Sequence, residues 1–174
     1  MNGGGLKDPL NIILAGVGGQ GNVMASRVLA NMLSLNGFRI TIGEPFGMSQ
    51  RGGSVMSHIR VSATSTWSPQ IPKGRADLLV ALEPIEAVRV MRMYGNPEVR
   101  AILNTRPIHP VGVIAGDLNY PALEEILKGL SALTPHVWAL DATAEAMKLG
   151  NPILSNIIMI GALCGLRLLP VGME

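Results

Sequence analysis

The sequence predicts an α/β fold with three layers, in which a mostly parallel sheet lies between two layers of helices. The whole chain, residues 1–174, is expected to form a single domain with an ordered core at about 11–169. Short apolar runs that resemble buried strands alternate along it with segments of helical periodicity. Apolar residues make up 48% of the chain and charged residues 15%, which suits strands buried on both faces. The low charge suits equally well a subunit that hides surface against partners. Composition alone leaves both interpretations open.

Residues 11–42 predict a β–turn–α–β unit, the building block of parallel sheets. The run NIILA at 11–15 is a short apolar strand, and the glycine-rich stretch at 16–21 is a turn. Residues 22–36 carry apolar side chains at a 3.6-residue period, and Gly37 is placed to end that helix. Residues 38–42 form a second strand.

The remaining elements follow the same alternation. Pro84 at a first helical position, with Glu86 behind it, marks the start of one helix. Asn151 and Pro152 cap the last one. Segment 107–119 is a loop with possible strand character at 111–114. Strands are predicted at 55–61, 76–82, 101–104 and 137–141, and helices at 84–94, 121–133, 142–149 and 153–169.

The first motif is Gly16-Val-Gly-Gly-Gln-Gly21, a G-x-G-x-x-G pattern between a strand and a helix. Gly16 permits the tight turn, Gly18 lets the backbone approach a ligand, and Gly21 lets the helix pack on the strand. With Glu44 placed to bind a ribose hydroxyl, the motif would make a Rossmann-like dinucleotide site. A tight turn without a ligand is the alternative, and the Gln20 amide could serve a partner contact as readily as a phosphate.

The second motif is the glycine-rich loop between the second and third strands. Arg51 is a fork-shaped donor suited to phosphate or carboxylate. The neighbouring glycines would let the loop bring its backbone close to a ligand or another chain. A flexible surface loop is the alternative. The loop's candidate binding residues are Ser49, Gln50, Arg51, Gly52, Gly53 and Ser54.

Other polar residues have simpler interpretations. Glu83 and Glu86 could act as an acid–base pair, but acids favoured by a helix N-terminus are the better explanation. His58, within a predicted strand, is more typical of a packed or surface histidine than of a catalyst. Asp141, at a strand end before a helix, suits an N-cap.

Several function classes are excluded or disfavoured. The single cysteine, Cys164, cannot form an intrachain disulfide or hold an iron–sulfur cluster or a cysteine-based zinc site by itself. Three scattered histidines do not make a metal cluster. Basic residues form no run, so nucleic acid is not an expected partner. Without a signal peptide or membrane span, the protein is expected to be cytoplasmic.

Three segments together resemble the gamma subunit, or gamma domain, of the 2-oxoacid:ferredoxin oxidoreductases. They are similar above all to the small (beta) subunit of indolepyruvate:ferredoxin oxidoreductases. The segments are GVGGQG at 16–21, EPFGMSQRGGSVMSHIRV at 44–61 and IPKGRADLLVALEPIEAVR at 71–89, with NIIMIGA at 156–162 resembling the closing helix. The resemblance spans about residues 11–165.

This resemblance implies a subunit that is inactive alone. Partner subunits of the alpha and beta types would hold thiamine diphosphate and the iron–sulfur clusters, decarboxylate a 2-oxoacid such as indolepyruvate or pyruvate, and reduce ferredoxin. The resemblance associates coenzyme A with Gly16, Gly18, Gly19, Gln20, Gly21 and the loop from Ser49 to Ser54. The isolated chain could pair as a homodimer. A free-standing dinucleotide-dependent oxidoreductase and a scaffold without a partner enzyme are the alternatives.

Overall fold

The computed structural model describes residues 7–44 and 53–171. Six strands form one sheet in these residues: β1 (Leu10–Val17), β2 (Arg39–Gly43), β3 (Ser54–Ser62), β4 (Leu78–Ala81), β5 (Arg100–Asn104) and β6 (Val137–Leu140). The helices are α1 (Asn22–Leu35), α2 (Pro84–Tyr94), α3 (Val111–Ile114), α4 (Leu123–Leu133), α5 (Ala142–Lys148) and α6 (Ser155–Gly165). A short 3-10 turn, Pro152–Leu154, leads into α6.

The strand order is β2-β3-β1-β4-β5-β6. Strands β1, β4, β5 and β6 pair in parallel, whereas β3 pairs antiparallel with both β1 and β2. The predicted mostly parallel sheet is therefore confirmed, but β1 and β2 are not the adjacent pair that a simple β–turn–α–β unit would give. Burial agrees with this order: β3, at the inner position, is buried over most of its length, whereas β2, at the edge, is partly exposed.

Helices cover both faces of the sheet, which confirms the three layers. Alternate residues of β1 point to opposite faces, with Ile12 and Leu14 in one core and Ile13 and Ala15 in the other. Helices α1 and α6 pack on the first face, and α2 and α4 pack on the second. In the described residues, the sheet thus separates the two cores.

Local capping chemistry explains where two helices begin. Pro84 occupies the first turn of α2, and the Glu83 carboxylate caps it by accepting from the backbone N–H of Glu86 at 3.1 Å. Asp141 caps α5 in the same way, accepting from the backbone N–H of Ala144 at 2.8 Å. These contacts confirm the N-terminal interpretation of Glu83 and the N-cap interpretation of Asp141.

Two predicted segments differ from the structure. Residues 111–114 form the one-turn helix α3 rather than a strand, because they lie past the end of β5 without a sheet neighbour and hydrogen-bond back to Pro110. The last helix runs from Ser155 to Gly165, shorter than predicted, and Arg167 behind it adopts a left-handed backbone with φ of 54°. No helix among the described residues is long and apolar enough to cross a membrane.

Candidate functional site

The helices that follow β1 and β4 lie on opposite faces of the sheet. β1 leads into α1 on one face, and the neighbouring β4 leads into α2 on the other. In open α/β sheets, this switch of direction leaves a crevice outside the carboxyl ends of the strands, where ligands bind. A cleft of about 740 Å³ opens at this edge, lined among others by Gly18, Gly19, Gln20, Arg106, Thr143 and Ser155.

The glycine turn lies at this edge, as predicted. Gly16 is still part of β1, and Gly19 and Gly21 adopt left-handed backbone conformations with φ of 102° and 78°. A side chain at Gly21 would also collide with Asn156, since its Cβ would lie 2.3 Å from the Asn156 amide nitrogen. Gly21 is therefore required both by its backbone conformation and by its contact with α6.

The turn uses several of its own N–H groups internally. The Val17 N–H donates to the side-chain oxygen of Gln20 at 2.7 Å, and the Gly18 N–H donates to the backbone oxygen of Gly53 at 2.8 Å. The Gln20 N–H donates back to Val17 at 3.1 Å. A pyrophosphate cradle would offer such groups to its ligand, so this turn is not arranged as a dinucleotide site.

Glu44 is also misplaced for a dinucleotide. It follows β2, and β3 lies between β2 and β1 in the sheet. Because neighbouring strands are about 4.8 Å apart, Glu44 follows a strand roughly 10 Å from the one that carries the glycine turn. The acid that would hold a ribose hydroxyl is thus separated from the turn by a whole strand.

The cleft has the electrostatic character of an anion site. Arg106 is exposed on its wall, and no carboxylate in residues 7–44 and 53–171 pairs with it. Residues just before α1 also line the cleft, and α1 begins without a side-chain cap or an acid in its first turn. The 3-10 turn that leads into α6 lines the cleft as well, but the Asn151 side chain caps it by accepting from the Ile153 N–H at 3.0 Å. An uncapped helix N-terminus carries partial positive charge, so Arg106 and the start of α1 both favour an anion in the cleft.

Beside this cleft lies a smaller one of about 180 Å³, which contains two buried carboxylates. Glu86 accepts a hydrogen bond from the Ser54 hydroxyl at 2.5 Å, and Arg89 approaches it at 3.5 Å. Glu83 accepts from the Tyr120 hydroxyl. Burial raises the pKa of Glu86, and burial together with this bond to Glu83 raises the pKa of Tyr120. The two acids therefore hold Ser54 and Tyr120 against the start of α2.

His58 is fully buried on β3 and belongs to the fold. Its Nδ1 accepts from the Ile71 N–H at 3.0 Å, its Nε2 lies 3.3 Å from the Met56 sulfur, and its ring meets Tyr94 edge-on at 4.9 Å. Burial lowers the pKa of His58, which keeps the ring neutral. The packed interpretation of this histidine is confirmed.

The structure brings part of the predicted site together. Gly18, Gly19 and Gln20 line the large cleft, whereas Gly16 lies beneath the Gln20 side chain. Gly53 and Ser54 adjoin the turn but face the smaller cleft. The predicted loop residues Ser49, Gln50, Arg51 and Gly52 lie outside the described residues.

Sequence reasoning missed two residues of this region. Arg106 follows β5 in the segment NTRPIHP, where a lone cation between strand end and proline was the available signal. Asn156 is completely buried, and its amide donates to the backbone oxygens of Gln20 and Gly21 at 3.1 and 3.4 Å. No local sequence pattern predicts a contact between residues as far apart along the chain as Gln20 and Asn156.

Comparison with known proteins supplies the family. The family model described as pyruvate ferredoxin/flavodoxin oxidoreductase matches residues 11–174. Indolepyruvate oxidoreductase subunit IorB of Archaeoglobus fulgidus is 41% identical over 165 residues, covering 95% of this chain and 81% of the relative. The subunit of that name from Pyrococcus horikoshii is 38% identical over 154 residues, covering 88% and 75%.

Solved structures share the fold at low sequence identity. Pyruvate oxidoreductase subunit PORC of Thermotoga maritima has a TM-score of 0.65 at 17% identity, covering 94% of this chain and 80% of that one. The 2-oxoglutarate:ferredoxin oxidoreductase of Magnetococcus marinus, with 2-oxoglutarate, coenzyme A and succinyl-CoA bound, has a TM-score of 0.64 at 18% identity, covering 90% and 24%. The family match and the relatives confirm the resemblance seen in the three motifs. The chain therefore belongs to the pyruvate ferredoxin/flavodoxin oxidoreductase family.

Proposed function

We propose that this chain is a subunit of an indolepyruvate:ferredoxin oxidoreductase and that coenzyme A binds in its large cleft. Partner subunits hold the thiamine diphosphate and the iron–sulfur clusters, and pass electrons to ferredoxin. The observation that carries the coenzyme A assignment is that Arg106, which pairs with no described carboxylate, lines the same cleft as the residues just before α1. The choice of indolepyruvate rests on relatives that carry that name at 36–41% identity.

The size and charge of the cleft support an extended anionic ligand. Its volume of about 740 Å³ lies within the range of roughly 300–1,000 Å³ typical of small-molecule sites. Coenzyme A carries phosphates that an arginine fork and helix N-termini bind well. The Magnetococcus marinus enzyme of similar fold was determined with coenzyme A bound, which makes this ligand the first to test.

Exposed apolar residues beside the cleft support docking to a partner subunit. Val111, Ile114 and Leu118 are 82%, 75% and 62% exposed, and Ile114 itself lines the cleft. Exposed apolar side chains that are grouped in this way mark a surface that binds another protein more often than a surface that stays in contact with solvent. A ligand bound here would then lie between this chain and the subunit that carries the chemistry.

The test is Arg106→Gln in the oxidoreductase assembled from all its subunits. Loss of a charged hydrogen bond of about 1.5–3 kcal/mol is expected to raise the KM for coenzyme A roughly tenfold or more. The KM for the oxoacid should not change. Arg100→Gln is the matched control, since Arg100 is exposed at the opposite end of β5. Equal coenzyme A kinetics in both variants would contradict the assignment.

A further inference from the structure

The side chain of Gln20 joins the ends of β1 and β4 across the point where the helices change faces. Its oxygen accepts from the Val17 N–H at 2.7 Å, and its nitrogen donates to the backbone oxygen of Leu82 at 2.8 Å. Val17 ends β1, and Leu82 directly follows β4. One amide thus satisfies a backbone donor on one strand end and a backbone acceptor on the next.

The surrounding residues are shaped around this folded-back side chain. A Cβ at Gly16 would lie 2.6 Å from the Gln20 side-chain oxygen, so glycine at that position makes room for the amide. Asn104 donates to the same Leu82 oxygen at 3.1 Å, and Asn156 donates to the backbone oxygen of Gln20 at 3.1 Å. A neutral amide of β5 therefore holds the end of β4, and one of α6 holds the turn itself.

The chemistry of this position requires a group that both donates and accepts. A glutamine amide does both at once, whereas a glutamate carboxylate can accept from Val17 but only repels the Leu82 oxygen. A protonated carboxyl group, in contrast, has one oxygen that accepts and one hydroxyl that donates. Glutamic acid could therefore replace Gln20 only while it carries its proton.

We propose that Gln20 is a positioning residue of the ligand cleft and that its side chain makes no ligand contact. Held to Val17 and Leu82, it fixes Gly18 and Gly19 as a preformed wall of the cleft. A preformed wall spares the ligand the free energy of ordering the turn. This inference rests on the proposed function, in which the cleft receives coenzyme A.

The variant test is Gln20→Glu in the assembled oxidoreductase, with coenzyme A kinetics measured across pH. With the carboxylate ionised, the KM for coenzyme A is expected to rise several-fold while kcat changes little. As the pH falls and the carboxyl group takes up its proton, the KM should return toward the wild-type value. Gln70→Glu adds the same charge on an exposed loop and should follow the wild type at every pH.

A measurement on the wild-type assembly keeps the inference testable if the variant fails to assemble. Hydrogen exchange at the Val17 and Gly18 amides should be slow without coenzyme A and unchanged after it is added, since Gln20 and Gly53 already accept from them. Protection that appears only with coenzyme A would overturn the inference, because the ligand itself would then be the acceptor.

The two proposals fail in different ways. If Arg106→Gln raises the KM for coenzyme A but Gln20→Glu matches the wild type at every pH, the role of Gln20 is wrong and the site stands. If Arg106→Gln and Gln20→Glu both leave the KM unchanged, the coenzyme A assignment fails, and the positioning role fails with it. If both variants raise the KM for coenzyme A, and only Gln20→Glu returns toward the wild-type KM at low pH, both proposals are supported.

Discussion

The hydroxyl of Ser54 donates a 2.5 Å hydrogen bond to the carboxylate of Glu86. Ser54 begins β3, directly after the glycine-rich loop, and Glu86 lies in the first turn of α2. The bond therefore fastens the end of that loop to a helix on one face of the sheet. Glu86 is only 4% exposed, so the loss of this donor would leave a buried oxygen poorly satisfied.

We expect Ser54→Ala to lower the free energy of unfolding by about 1–3 kcal/mol at neutral pH. The Ser54 bond favours ionised Glu86, whose pKa burial already raises above 4.5, so its loss raises that pKa further. A raised pKa of Glu86 means that the folded state of the variant holds the proton more tightly than the folded wild type does. The loss in the free energy of unfolding caused by Ser54→Ala should therefore become smaller as the pH falls and Glu86 becomes protonated. Urea denaturation at several pH values measures both effects.

Ser131→Ala is the control, because Ser131 is exposed on α4 and its hydroxyl makes no hydrogen bond with other described residues. It should change the free energy of unfolding by less than about 0.5 kcal/mol. A Ser54→Ala penalty that is equally small, or independent of pH, would show that the bond to Glu86 contributes little.

Acid should destabilise the chain through His58. Burial holds its pKa below the ordinary 6.5, while the unfolded chain keeps the ordinary value. The unfolded state therefore binds more protons below about pH 6.5, and the free energy of unfolding should fall from there until the lowered pKa is passed. His58→Gln can still accept from Ile71 but does not titrate, so its urea stability should depend less on pH in this window.

His136→Gln serves as the comparison for this effect, because His136 is only partly buried beside β6. This variant should keep the wild-type fall in stability toward acid. Were His58→Gln to lose stability with falling pH as steeply as the wild type, another group would have to cause the acid sensitivity.

Local sequence signals predicted the elements that local chemistry determines. Pro84 at a first helical position and Glu83 as a cap mark the start of α2, and the alternating apolar residues of β3 mark both of its faces. The glycine turn was also located correctly, because its glycines and the helix behind it lie within one short segment.

Long-range relationships were not predictable in the same way. The insertion of β3 between β1 and β2 depends on how deeply each strand is buried in the complete sheet, which the periodicity of single strands does not contain. Arg106 lines the same cleft as the glycine turn, and Asn156 hydrogen-bonds to the turn, because β5 ends and α6 begins at the same sheet edge. The sequence signalled the turn, but not the side chains that surround it.

The contact between Gly21 and Asn156 offers a direct test of how the turn is held. Gly19 and Gly21 both have positive φ, so alanine at either position should cost roughly 1–2 kcal/mol in backbone strain. At Gly21 the new Cβ would also lie 2.3 Å from the Asn156 nitrogen, whereas at Gly19 no atom of the described residues beyond its chain neighbours lies within 4 Å. Gly21→Ala should therefore lower the free energy of unfolding more than Gly19→Ala.

Double-mutant cycles separate the collision from the strain. Asn156→Ala removes the group that Gly21→Ala strikes, so the double variant should lose less stability than the sum of the two single losses. The matched cycle of Gly19→Ala with Asn156→Ala should be additive, because the Cβ added at Gly19 does not come within 4 Å of Asn156. Urea denaturation of the five variant proteins and the wild type gives both coupling energies. Additive losses in the Gly21 cycle would mean that α6 moves away from the turn without cost, and that Asn156 does not hold it.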